Sequence, residues 1–145
     1  MEMNKEQMKN MFQYFDDYKN EKVKEDIFCH LGHECFKTAK TWVESFGGNV
    51  QKFIDEVNIE NKSPWWEKFE FNTGKSILYL TGKVVDKCVC ALGDVAKPPK
   101  SLCNYCCKTF QEDIFGTLFN KKVNVEITES SILGGKRCST AIYIS

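Results

Sequence analysis

"KFEFNTGKSILYL", residues Lys68–Leu80, alternates apolar and polar side chains on both sides of Asn72-Thr73-Gly74. Period two on either side of a turn-forming triplet predicts a β-hairpin. Upstream the period is helical. Met8, Met11, Phe12, Phe15 and Tyr18 mark one apolar stripe over residues 4–19. A second stripe, from about Lys22 to Ser45, contains Val23, Ile27, Leu31, Cys35, Ala39, Trp42 and Phe46, and Phe-Gly-Gly-Asn ends it. Asn49 is expected to cap a short helix to about Asn58, with Val50, Phe53, Ile54 and Val57 inward. Pro64 then disfavours helix at Ser63.

Downstream of the hairpin, Lys83–Cys90 reads as a third strand, and Pro98-Pro99 interrupts regular structure. Phe110, Ile114, Phe115 and Leu118 predict a helix from Asn104 to Phe119. Val123, Val125 and Ile127 then alternate with Asn124, Glu126 and Thr128. After Gly134-Gly135, a last strand carries Cys138, Thr140, Ile142 and Ile144 on one side. The expectation is an α+β fold: N-terminal helices packed on an antiparallel sheet made of a hairpin, a third strand, an inserted helix and a C-terminal hairpin. We expect one domain over 1–145, helical in 1–60 and sheet plus helix in 67–145.

A chain of 145 residues can bury a sizeable core without disulfide staples. Twenty basic and twenty acidic residues balance to zero, with Lys scattered among Glu and Asp. That distribution argues against nucleic acid as a partner, since such binders concentrate positive charge. Zero net charge leaves little repulsion between copies, which permits a homodimer. The N-terminal residues lack an apolar signal segment, and no run is long enough for a membrane helix. The sequence-based expectation is a soluble, cytoplasmic protein with no membrane partner and with thiols kept reduced.

Five of the eight cysteines fall in Lys87–Cys107, as Cys88-x-Cys90 and Cys103-x-x-Cys106-Cys107. They could be staples, a redox pair, a metal clamp or buried thiols. A reducing compartment counts against staples, and the antiparallel surroundings count against a thioredoxin-like motif. A zinc clamp from Cys88, Cys90, Cys103 and Cys106, assisted by Cys107, competes with buried thiols. Cys35 and Cys138, on apolar stripes, fit the buried-thiol description. "CHLGHECF" adds His30 and His33 beside Cys29 and Cys35. They read as an exposed helix face, a metal site or a Cys–His nucleophile with Glu34 nearby. The catalytic candidates are Cys106 or Cys35 as nucleophile and His33 as base. No Ser-His-Asp set, P-loop or Rossmann fingerprint is present, so an enzyme ranks below a binding domain. A third alternative is a protein-interaction module with a cysteine-rich core, contacting partners through Trp65 and Trp66.

The stretch from Lys87 to Ile144 resembles a cysteine-rich family of small bacterial and archaeal domains. Val123, Val125, Glu126, Ser130 or Ser131, Ile132, Gly134, Cys138, Ile142 and Ile144 fall on its outline, and "LGHEC" around Gly32 and Cys35 is similar to its N-terminal part. More distantly, the C-terminal part is similar to the four-vinyl reductase domain, a small-molecule-binding fold, and to the L-2-amino-thiazoline-4-carboxylate hydrolase-like group. In a sensor branch of the former, a strand-borne Glu and several Cys hold zinc. The resemblance therefore implies Cys138 and Glu129 as further metal-ligand candidates. Leu31, Ser130 and Thr140 stand where the family pattern has Cys, Cys and an aromatic residue. The implied function is a sensor-like domain binding a small apolar or aromatic ligand between sheet and helices. Trp42, Phe110 and Phe115 are the expected walls of that pocket.

Overall fold

The computed structural model describes residues 4–60, 63–85 and 98–145. Three helices come first: α1 (Lys5–Asp16), α2 (Glu21–Glu44) and α3 (Val50–Val57). Each begins at an asparagine whose side-chain oxygen accepts first-turn N–H groups: Asn4, Asn20 and Asn49. Helix geometry leaves those donors without partners, so the caps fix where each helix starts. At α1, Gln7 also reaches back to the Asn4 N–H, completing a capping box.

The sheet contains β1 (Trp66–Asn72), β2 (Ile77–Gly82), β3 (Val123–Glu129) and β4 (Ser139–Ile144). Between β2 and β3 lie a π-helical turn (Leu102–Cys107) and α4 (Lys108–Phe119). The strand order is β1-β2-β4-β3, with every pair antiparallel. The last strand is therefore central, pairing Leu80 with Thr140 on one side and Val125 with Ile142 on the other. This is the expected α+β architecture. No helix among the described residues is long and apolar enough to cross a membrane.

Three boundaries differ from the sequence-based expectation. The hairpin turn is Thr73–Ser76, not Asn72–Gly74. The Asn72 side chain accepts the Lys75 N–H at 3.0 Å, and Ser76 takes the left-handed conformation at φ 54°. Residues 83–85 leave the sheet: Lys83 N–H bonds to Trp65 O and Val85 N–H to Lys136 O. The rest of the expected third strand, with Cys88 and Cys90, lies outside the described residues. Finally, the fourth helical segment is already helical at residue 100. The Asp16 carboxylate at the end of α1 accepts both the Ser101 N–H and its hydroxyl. A cap supplied from 85 residues away leaves no local signal.

Side chains separate into two buried clusters. The larger places Phe69, Leu78, Val125 and Ile142 from the sheet against Val43, Phe53, Phe115 and Leu118 from the helices. The smaller joins Phe12 of α1, Phe28 of α2, and Leu102 and Cys106 of the π turn. Gly32 makes the second arrangement possible. A Cβ there would stand 2.5 Å from Cys106 O and 2.9 Å from Thr109 Cβ, so only glycine lets α2 approach the π turn this closely. The same logic holds at Gly82, whose missing side chain makes room for the Cys138 carbonyl.

Candidate functional site

The π turn carries three cysteines. Widening a helix by one residue weakens its hydrogen-bond geometry and re-aims side chains, and such turns recur at functional positions. Cys103 and Cys106 are both buried, while Cys107 is half-buried. Cys103 Sγ donates to Ser130 Oγ at 3.0 Å, and the same hydroxyl accepts the Ile132 N–H at 3.2 Å. Next along the chain, Ser131 Oγ lies 3.4 Å from Cys138 Sγ. Two thiols from distant parts of the sequence thus flank the Ser130-Ser131 pair. Cys106 turns instead into the smaller cluster, beside Phe12 and Phe28. Gln111 links the region to the sheet: its Nε2 donates to Cys107 Sγ at 3.4 Å, and its Oε1 accepts the Thr140 hydroxyl at 2.7 Å.

Glu129, at the end of β3, uses Oε2 to accept the N–H groups of Lys136 and Arg137 at 2.8 and 3.2 Å. Its carboxylate closes the β3–β4 turn. Cys88 and Cys90, expected as zinc ligands, lie outside the described residues. Among the described residues, no three His, Cys, Asp or Glu side chains stand where they could hold a metal ion together. Cys103, Cys106, Cys107 and Cys138 alone therefore do not form the expected zinc set.

His33 meets a partner that no local pattern announced. Its Nδ1 lies 2.6 Å from Asp113 Oδ2 of α4, 80 residues away. The carboxylate is 26% exposed and the imidazole 57%. Helix geometry puts His33 about 200° around α2 from Cys35, so the two project to opposite sides. Cys106 packs into the smaller cluster beside Phe12 of α1. The structure thus joins His33 with Asp113 rather than with either expected nucleophile. Further along the same seam, the Tyr105 hydroxyl donates to Glu21. That bond to a carboxylate pushes the phenol up to about 12, and it is also the main cause of the lowered Glu21 value.

Of the three aromatics expected to wall a pocket, Phe115 and Phe110 belong to the larger cluster, and Trp42, 37% exposed, lies at its edge. Phe115 is 3% exposed, with its ring 5.9 Å from that of Phe53 and 6.1 Å from Phe69. Trp42 stands edge-on to Phe46 at 5.4 Å, and Phe110 packs against the same cluster. Trp66 is docked through its indole N–H on Val57 O at 2.8 Å, whereas Trp65 is 54% exposed. A concave apolar surface occurs elsewhere, between α1 and α2. It is a groove of about 370 Å³ lined by Met11, Phe12, Phe15, Ile27 and Leu31, with Asp26 and His30 also contributing.

No protein-family model matches this chain, and no curated protein is significantly similar to it. The resemblance described above rests on its quoted residues.

Proposed function

We propose that this chain is a small-molecule-binding domain whose ligand lodges in the groove between α1 and α2, over the core that contains Cys106. The observation that carries this reading is the groove itself. Ligand sites are typically concavities of roughly 300–1,000 Å³ with apolar walls and a few polar groups at the edge. Met11 and the rings of Phe12 and Phe15 suit an apolar or aromatic guest, through a flexible thioether and edge-to-face ring contacts. The filled state of the larger core supports placing the ligand here rather than against Phe115.

In the same proposal the cysteine-bearing π turn is the structural support of the groove. The approach of Cys103 to Ser130, and of Cys138 to Ser131, supports it as the place where a zinc ion would be held if Cys88 and Cys90 complete the set. Elemental analysis of reduced protein, followed by chelation, tests that half: stoichiometric zinc and a lower Tm on chelation are expected. Metal-free protein of unchanged stability would remove zinc from the proposal. The binding half is tested by thermal shift with a panel of one- and two-ring aromatic compounds. A binder present at 100 times its Kd stabilises by about 2.7 kcal/mol. Ile27→Trp, which fills the groove, should abolish the shift. A shift that persists in that variant would place the ligand elsewhere.

A further inference from the structure

The seam between α2 and the π turn with α4 is built from two rows of side chains at four-residue spacing. One row is Glu21, Glu25, Cys29 and His33; the facing row is Tyr105, Thr109 and Asp113. Tyr105 holds Glu21 at one end, and Asp113 holds His33 Nδ1 at the other. Between them, the missing side chain of Gly32 lets Thr109 Cβ and the Cys106 carbonyl come up against α2. Cys29 is therefore framed on both sides. It is half-buried, and it stands one helical turn before His33 on the same face, where Cβ atoms are about 5–6 Å apart.

We propose that Cys29, His33 and Asp113 form a thiol–imidazole–carboxylate unit that makes Cys29 a reactive thiol toward small, soft electrophiles. The carboxylate of Asp113 accepts from His33 Nδ1–H. This fixes the tautomer and leaves the Nε2 lone pair directed away from α4, in an exposed ring. His33 Nε2 takes the proton of the Cys29 thiol, and the sulfur electron pair forms a bond to an alkyl or acyl carbon. The leaving group departs with its bonding pair, and the proton passes from His33 to the leaving group or to solvent. Asp113 is a positioning residue throughout. No hydrogen bond joins Cys29 to His33 in this structure. Rotation about the Cys29 χ1 angle carries the thiol toward Nε2 while His33 stays on Asp113, as nucleophile–base contacts in ligand-free sites often close only when a reactant arrives.

Cys35 provides an internal control, being half-buried on the same helix but on the side away from His33. Native protein is treated with limiting iodoacetamide near neutral pH, and labelling at each cysteine is followed by peptide mass spectrometry. We expect Cys29 to be alkylated at least about tenfold faster than Cys35, a modest share of the 10²–10⁴ that base assistance provides. His33→Asn should bring the ratio to about one, and Asp113→Asn should lower it several-fold. Circular dichroism checks that each variant is folded, with His33→Gln as the substitute if His33→Asn is not. A pair that only clamps the helices would leave the ratio unmoved. Equal labelling of Cys29 and Cys35 in the wild type, or a ratio that survives loss of the imidazole, overturns the proposal.

Discussion

The two cores of this protein are built on different principles. The larger is closed by rings: Phe53 alone meets Trp42, Phe46, Phe69 and Phe115, at centroid distances of 5.4 to 5.9 Å. The smaller has one tilted ring pair, Phe12–Phe28 at 6.5 Å, a thiol, and an open groove along one side. Its outer wall, α1, is held to the rest by that pair, by Asp16 on Ser101, and by Lys24 Nζ on Asp16 O. Dense edge-to-face packing fills the space between sheet and helices with rings. A lightly tied helix over a thiol-bearing turn leaves room for a guest.

The largest effect that would break this comparison concerns the two central phenylalanines. Phe53→Ala should destabilise by about 3–5 kcal/mol in urea unfolding, because interlocked neighbours cannot collapse into the space. Phe12→Ala, at 2% exposure, should fall at the low end of that range, about 3 kcal/mol, because α1 can settle inward over the groove. Equal losses would mean that the smaller core is packed as tightly as the larger. Next in size is Gly32→Ala. Its Cβ would collide with backbone and with Thr109, so about 1–3 kcal/mol of overpacking strain is expected. The same change should separate His33 from Asp113, visible as loss of the hydrogen-bonded imidazole signal by NMR. A neutral Gly32→Ala would show that α2 is free to shift.

A smaller effect sharpens the contrast. Ser101→Ala removes a hydroxyl that is buried and bonded to a carboxylate, at a cost of about 1–2 kcal/mol. The informative readout is where that loss appears. Hydrogen exchange should accelerate in α1 and at residues 100–107 while β2 and β4 keep their protection. Uniform acceleration through the sheet would show that the two cores unfold together.

Most of the larger core was legible in the sequence because its residues recur at regular spacing, but α2 buries Phe28, Gly32 and Val43, beside the stripe of Val23, Leu31 and Trp42 that its period suggests. Phe53 and Val57 on one helix, Phe115 and Leu118 on another, and Val125 and Ile142 on strands announce their faces by period. The smaller core was half visible: Met11, Phe12 and Phe15 were on the predicted stripe, but nothing local says that they cover Cys106. The site chemistry was least legible. His33 finds Asp113 across 80 residues, and Ser101 finds Asp16 across 85. Such pairs depend on how α2 crosses the π turn, which depends in turn on Gly32 lacking a side chain. The extra residue of the π turn also escapes a helical-period search, and it moves Cys103 toward Ser130 and Cys106 toward Phe12.

The last and smallest effect separates the cores by how they respond to pH. The Tyr105–Glu21 bond requires a protonated phenol and an ionised carboxylate. Tyr105 titrates at about 12 in the folded chain against 10.0 unfolded, so its contribution is complete below pH 10.0 and is lost as pH rises through about 12. Glu21 is lowered from 4.5, so its contribution is complete above 4.5 and is lost as pH falls through the folded value. Both signs agree that the tie is intact across neutral pH and fails at both extremes. Tyr105→Phe should therefore lower Tm by a constant amount near neutrality, and by a shrinking amount toward acid and toward alkali. Phe53→Ala removes no titrating group, so its Tm difference should not track these two ionisations. A Tyr105→Phe difference that stays flat to pH 12 would mean that the ring's packing, not its hydroxyl, joins the π turn to α2.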